Sequence, residues 1–169
     1  MIVATFFAPW WPNVEAAKVR LMLTRVPQRT EDDCMIAILA TVMGQPYTYE
    51  RVLADGLRYR WFNSDGTFSA WWEKYLWDSG FPNKYRPLSQ WRQVVSSGNV
   101  VGILMLAPHH AGQPGHVVAI DERGFINPST GWPDRIGSPD ELIQEYRRLG
   151  YEYEPERDFL VVDIAHASG

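Results

Sequence analysis

The fold is decided by one stretch, residues 32–46, which reads Asp32-Asp33-Cys34-Met35-Ile36-Ala37-Ile38-Leu39-Ala40-Thr41-Val42-Met43-Gly44-Gln45-Pro46. Aspartate is a favourable N-cap, and glycine followed by proline is a favourable helix end. These signals predict a helix from Cys34 to Met43 that begins behind Asp33. Because its residues are almost all apolar on every side, the helix is predicted to be buried at the centre of the domain.

The spacing of apolar residues around this helix changes along the chain from a helical to a strand pattern. Before it, short strands are predicted over Ile2 to Ala8 and Val19 to Leu23. After it, amphipathic helices are predicted over Thr48 to Leu57, Ser69 to Ser79, Ser89 to Ser96 and, with Ser138 as cap, Pro139 to Leu149. Short apolar runs predict buried strands over Val100 to Leu106, His116 to Ile120, Phe125 to Asn127 and Phe159 to Ile164. Helices before strands predict an α+β domain that spans residues 1–169.

Composition narrows the class of protein. Of 169 residues, 46% are hydrophobic and 21% are charged, which is ordinary globular usage and excludes fibrous and disordered classes. Sixteen Lys and Arg residues against twenty Asp and Glu residues give a net charge of −4. The sequence has no run of basic residues that would bind a phosphate backbone, so we expect no nucleic-acid partner. The sequence contains no run of about 18 apolar residues, so we predict no membrane-spanning segment. With one cysteine and no signal-peptide pattern at Met1 to Trp10, we expect a cytoplasmic protein.

Cys34 is the first candidate for chemistry because it begins the central helix. Backbone N–H groups and the helix dipole favour a thiolate at that position, whereas the neighbouring Asp33 charge opposes it. The alternative is a small buried core residue. Gln28, six residues upstream, carries an amide that can reach the oxygen of a carbonyl under attack.

His116 begins a predicted strand, where a ring can project into a cleft and act as general base for the Cys34 thiol. Asn127 ends the next strand and is the candidate that orients the imidazole. A two-residue turn at Glu122–Arg123 places Asn127 opposite Val118, on the face of His116. A three-residue loop that includes Gly124 places it on the other face, and the glycine favours this longer loop.

Other sites carry little signal. His109 and His110 lie in a Pro- and Gly-flanked loop, and with His116 and Cys34 they match no zinc-ligand spacing. We expect no metal and no cofactor. The aromatic residues Trp61, Phe62, Trp71 and Trp72 are candidates for a groove, but core packing is the preferred interpretation.

Together, Gln28 and Cys34 at a helix start, Gly115-His116 at a strand start and Asn127-Pro128 after the next strand resemble the papain-like cysteine peptidases. The most similar branch is the bacteriocin-leader-processing (double-glycine) peptidases. The resemblance implies a papain-like fold, with N-terminal helices and a buried central helix on a C-terminal antiparallel sheet. It implies Cys34 as nucleophile, His116 as base, Asn127 as orienting residue and Gln28 as oxyanion donor. Two positions depart from the branch, which commonly has Gly where this chain has Met35 and often has Asp where it has Asn127.

Two classes of function follow. The first is a cysteine peptidase-like hydrolase that acts on a peptide or protein through an acyl-enzyme, with transfer or deamidation as other outcomes of the same intermediate. Small cell-wall peptidases of the NlpC or CHAP type are a related possibility, although Gln28 favours the papain side. The second class is a catalytically silent papain-like module that grips a partner protein.

Overall fold

The structure is a computed structural model that describes residues 23–61, 71–96 and 99–165. The helices of this part of the chain are α1 (Cys34–Met43), α2 (Tyr49–Tyr59), α3 (Trp71–Asp78), α4 (Trp91–Val95) and α5 (Pro139–Arg148). Its strands are β1 (Asn83–Pro87), β2 (Val100–Pro108), β3 (His116–Asp121), β4 (Gly124–Ile126), β5 (Arg135–Ile136), β6 (Tyr153–Pro155) and β7 (Asp158–Asp163). A 3-10 turn, Leu88–Gln90, joins β1 to α4. The predicted strands before α1 lie outside the described residues, except for Leu23, which is in irregular chain.

The central helix is confirmed. All ten residues of α1 are buried, and the helix ends at Gly44, whose φ of 61° lies in the left-handed region that favours glycine. Asp33 is the N-cap residue, as expected, but its side chain makes no capping hydrogen bond to α1. Its carboxylate turns backward and accepts the backbone N–H groups of Arg29 and Thr30, each at 3.1 Å. Asp33 therefore fixes the loop before the helix.

The other predicted elements agree in type and shift at their ends. Helix α2 is capped by Thr48, which accepts from the N–H of Arg51, and α5 is capped by Ser138, which accepts from the N–H of Glu141. The helix predicted over Ser89 to Ser96 begins as the 3-10 turn. Three strands were missed by sequence reasoning: β1, β5 and β6.

One antiparallel sheet joins the seven strands. Six follow one another in the order β1-β7-β2-β3-β4-β5, and β6 pairs with β2. Strand β1 follows three helices in sequence and pairs with β7 at the edge. The structure is therefore a mixture of helices and antiparallel sheet, which confirms the α+β class.

The sheet has a core on each face because side chains of a strand alternate. Val117 and Ala119 of β3 lie in the core that contains α1. Val118 and Ile120 lie in the core that contains the buried side of α5. By this alternation His116 belongs to the α5 face, while α1 packs against the other. No helix in the described part of the chain is long and apolar enough to cross a membrane.

Candidate active site

Cys34 lies at the first turn of α1 with 8% of its surface exposed. The backbone N–H of Val117, the residue after His116, contacts the Cys34 sulfur and favours its ionisation. Burial acts more strongly in the opposite direction, and with the charge of Asp33 it raises the pKa of the Cys34 thiol to about 11. The resting sulfur is therefore protonated at neutral pH.

The Asp33 carboxylate holds the loop that carries Gln28. Besides the N–H groups of Arg29 and Thr30, it accepts the Tyr49 hydroxyl. The guanidinium of Arg29 covers the Tyr49 ring at 4.0 Å from its centre. These contacts fix the chain between Gln28 and Cys34.

Gln28 is tied to the loop that follows β4. Its backbone N–H donates to the carbonyl of Pro128 at 2.9 Å, and its Oε1 accepts the Ser129 hydroxyl at 3.2 Å. Its Nε2 donates to the carbonyl of Thr30 at 3.0 Å. A carboxamide nitrogen has two N–H donors, so one of them remains for an oxyanion.

His116 and Asn127 are in contact, and the turn between their strands explains why. Strand β3 pairs Asp121 with Gly124, so the turn contains only Glu122 and Arg123. The longer loop that the glycine favoured is wrong. Gly124 is instead the first residue of β4, where its φ is 122° and a Cβ would come within 2.3 Å of the Ile136 carbonyl oxygen.

This register sets Asn127 on the face of His116, and His116 Nε2 lies 3.2 Å from Asn127 Oδ1. Asn127 Oδ1 also accepts the backbone N–H of Ser129 at 3.0 Å, which fixes the orientation of the amide. Because an amide oxygen only accepts, His116 Nε2 carries the proton and Nδ1 is left as the basic nitrogen. The imidazole is thus held in the tautomer that a general base needs.

Aromatic rings close over the imidazole. The centres of the Tyr146 and Tyr153 rings lie 5.3 and 6.0 Å from that of His116, and Trp132 packs on Tyr146 at 4.4 Å. His116 is 6% exposed, and this burial lowers its pKa to about 4, against the smaller opposing effect of Asn127. Because the pKa of the Cys34 thiol is higher than that of the His116 imidazole, the proton stays on the sulfur.

Three of the four sequence candidates are therefore connected, and Cys34 is not hydrogen-bonded to them. His116 contacts Asn127, and Gln28 contacts the residues that follow Asn127. Cys34 meets the sheet at Val117, but within the described residues it makes no hydrogen bond to His116. Sequence reasoning missed Tyr146 and Tyr153; the only signal for Tyr146 is its place on the apolar side of α5, beside Leu142 and Ile143.

The remaining candidates lie outside this site. His110 Nε2 pairs with Glu152 at 2.9 Å, and both side chains are exposed. The described residues contain no group of three or more His, Cys, Asp or Glu side chains that could hold a metal ion. Trp61 and Trp72 are buried core residues, as preferred, although Trp61 also lines a surface cavity of about 550 Å³. The side chains of Phe62 and Trp71 lie outside the described residues.

Comparison with known proteins gives no family. No protein-family model matches the chain, and a search of curated proteins finds no significant match.

Proposed function

We propose that the chain is a papain-like thiol hydrolase that cleaves an amide bond of a peptide or protein through a Cys34 acyl-enzyme. The observation that carries the proposal is the orientation of His116 by Asn127, with its basic nitrogen free and the Cys34 thiol beside the next residue of the same strand. General-base catalysis requires a neutral imidazole with one unprotonated nitrogen available to the thiol, and the bond from Nε2 to Asn127 leaves Nδ1 as that nitrogen.

The reaction begins from a neutral thiol and a neutral imidazole, because burial sets both pKa values against an ion pair. Cys34 begins α1, and its charge would act on Tyr146 and Tyr153, whose rings contact His116, so this end of α1 lies close to the face of the imidazole. As Cys34 Sγ forms its bond to the carbonyl carbon, its proton passes to His116 Nδ1 and the π electrons move to the carbonyl oxygen. The N–H of Cys34 and the second N–H of Gln28 Nε2 are the proposed oxyanion donors. His116 then protonates the leaving amine, and water hydrolyses the thioester.

A second candidate, a silent papain-like module that binds a partner protein, is favoured by different observations. Cys34 and His116 are both more than nine-tenths buried, and no hydrogen bond joins them. A module of this kind would keep the packing of the site without turnover.

Acetylation of Cys34 by p-nitrophenyl acetate distinguishes the two. Since the chain has one cysteine, the thioester is counted by intact mass at neutral pH, and Cys34→Ala gives the background. We expect His116→Ala to slow acetylation by about a hundredfold, the usual contribution of a general base. The matched control, His110→Ala, removes an exposed histidine and should keep the wild-type rate. Equal rates in wild type and His116→Ala would reject the hydrolase and leave the binding module.

A further inference from the structure

Gln28 lies in a segment of irregular chain, residues 23–28, that precedes the central helix. Its backbone is anchored at two points. The N–H of Val26 donates to Thr41 Oγ1 at 2.9 Å, and the N–H of Gln28 donates to the Pro128 carbonyl at 2.9 Å. Because residues 23–28 belong to no helix or strand, these two bonds leave the direction of the Gln28 carboxamide to side-chain contacts.

Ser129 is the residue that meets this carboxamide from the other side of the site. Its hydroxyl donates to Gln28 Oε1 at 3.2 Å. The oxygen and the nitrogen of a carboxamide lie in one plane, so a bond at Oε1 also sets where the two N–H groups point. One of them donates to the carbonyl of Thr30, and the other is the proposed oxyanion donor. The position of Ser129 therefore sets the direction of that donor.

Arg25 holds Ser129 through its main chain. Its Nη2 donates to the carbonyl of Ser129, and its Nη1 pairs with the carboxylate of Asp134. The side chain of Arg25 is 17% exposed and that of Asp134 is 77% exposed, so the bond to Ser129 is the one shielded from water. A hydrogen bond from a charged donor is stronger than a neutral one, and the planar guanidinium fixes both of its nitrogens at once. Arg25 therefore fastens the loop after β4 to the segment that carries Gln28.

The other carboxamide of the site is oriented without Arg25. Asn127 Oδ1 accepts the N–H of Ser129, two residues later in the chain, at 3.0 Å. This is a local turn of the kind that asparagine forms with its own backbone, and the ring of the intervening proline fixes the φ between them. The contact between Asn127 and His116 therefore depends on the chain around Asn127 itself. Loss of the guanidinium would act on Gln28 and leave the general base in place.

We propose that Arg25 is a positioning residue that acts through Ser129 to direct the Gln28 carboxamide toward the oxyanion. The inference rests on the proposed function, and it adds a residue that touches neither the thiol nor the imidazole. It gives a role to a largely buried cation that lies outside the sequence motifs. Since a displaced donor stabilises a developing charge less well, the cost of losing Arg25 falls on the step in which the oxyanion forms.

The test is a cycle of two substitutions, read by acetylation of Cys34 with p-nitrophenyl acetate. Arg25→Met removes the guanidinium and keeps most of the side-chain volume. We expect it to slow acetylation by about tenfold in the wild-type chain, part of the roughly hundredfold expected for loss of the Gln28 amide. In the Gln28→Ala chain it should slow acetylation by less than about twofold, because residues that act through one group are not additive.

The matched control is Arg92→Met. The guanidinium of Arg92 also donates to a backbone carbonyl, that of Gly137 at 3.1 Å, and lies outside the site, so this variant should keep the wild-type rate. Equal slowing by Arg25→Met with and without Gln28 would show a general structural effect, and an unchanged rate would remove the guanidinium from the site. Either result overturns the inference.

Ser129→Ala keeps the decision open if Arg25→Met fails to unfold cooperatively in urea. It retains the carbonyl that Arg25 binds and removes the hydroxyl that meets Gln28. We expect acetylation to slow by about tenfold, whereas Thr130→Ala, at the next and exposed position of the same loop, should keep the wild-type rate. A wild-type rate in Ser129→Ala would break the route from Arg25 to Gln28 and overturn the inference.

A spectroscopic measurement separates this inference from the proposed function. In the ¹⁵N-labelled full chain, the side-chain NH₂ signals of Gln28 are identified by their loss in Gln28→Ala. They should shift in Arg25→Met and stay in place in Arg92→Met, and neither result needs a reactive thiol. If acetylation of Cys34 does not depend on His116 while the Gln28 signals shift, the hydrolase fails and the positioning role stands. Unchanged Gln28 signals in Arg25→Met overturn the inference even where acetylation depends on His116.

Discussion

Acidification should destabilise the fold through His116. Burial lowers the pKa of this imidazole from 6.5 to about 4, so between these values the unfolded chain binds a proton that the folded chain excludes. The stabilisation is complete above pH 6.5 and is lost as the pH falls toward 4. At about 1.4 kcal/mol for each pH unit, the loss amounts to about 3 kcal/mol over this window.

The measurement is the free energy of unfolding in urea at several pH values between 7 and 4. Carboxylates also titrate there, so the quantity of interest is the difference between wild type and His116→Gln, which keeps a donor for Asn127 Oδ1 but does not titrate. Wild type should lose about 3 kcal/mol more than His116→Gln, and the exposed-site control His110→Gln should follow wild type. Parallel curves for wild type and His116→Gln would show that folding does not lower the pKa of the imidazole. The interpretation of His116 as a buried neutral base would then be wrong.

Three further substitutions test the site and its scaffold. Cys34→Ala should abolish acetylation by p-nitrophenyl acetate while urea unfolding shows a loss of only about 1 kcal/mol, because little volume leaves the core; an unfolded variant would assign the residue to packing. Gln28→Ala should slow that acetylation by about a hundredfold, and a change below about threefold would remove its amide from the mechanism. Gly124→Ala should lower the free energy of unfolding by about 3 kcal/mol, since its Cβ would overlap the Ile136 carbonyl. The control Gly131→Ala also has a positive φ but open space, so it should lose only about 1 kcal/mol, and equal losses would refute the overlap.

The sequence predicted secondary structure best where the hydrophobic pattern agrees with the residues that begin and end an element. Helix α1 was predicted at both ends because an apolar run is bounded by Asp33 and Gly44. Strand β1 was not predictable in this way, since its residues are polar, mostly exposed and without alternation. Its place at the edge is set by pairing with β7, about 75 residues later in the chain.

The candidate site could likewise be predicted only in part. The residue types Cys34, His116 and Asn127 stand out in sequence, but the Asn127 register depends on a glycine that serves a close approach to Ile136 rather than a longer loop. The protonation state was predicted least well. A helix start favours a thiolate, but burial outweighs it at Cys34. The imidazole of His116 is also buried, and part of its cover comes from Tyr146 and Tyr153, more than 25 residues later in the chain.

The two-residue turn between β3 and β4 also bears on how this chain can tolerate insertions. Asn127 stays on the face of His116 as long as the pairs Asp121–Gly124 and Ala119–Ile126 are kept. Residues added to the loop leave these pairs in place, whereas a one-residue slip of β4 along β3 would move Asn127 to the opposite face. The His116–Asn127 contact is therefore compatible with a longer turn, and it is lost with any one-residue change of register even where the sheet itself is kept.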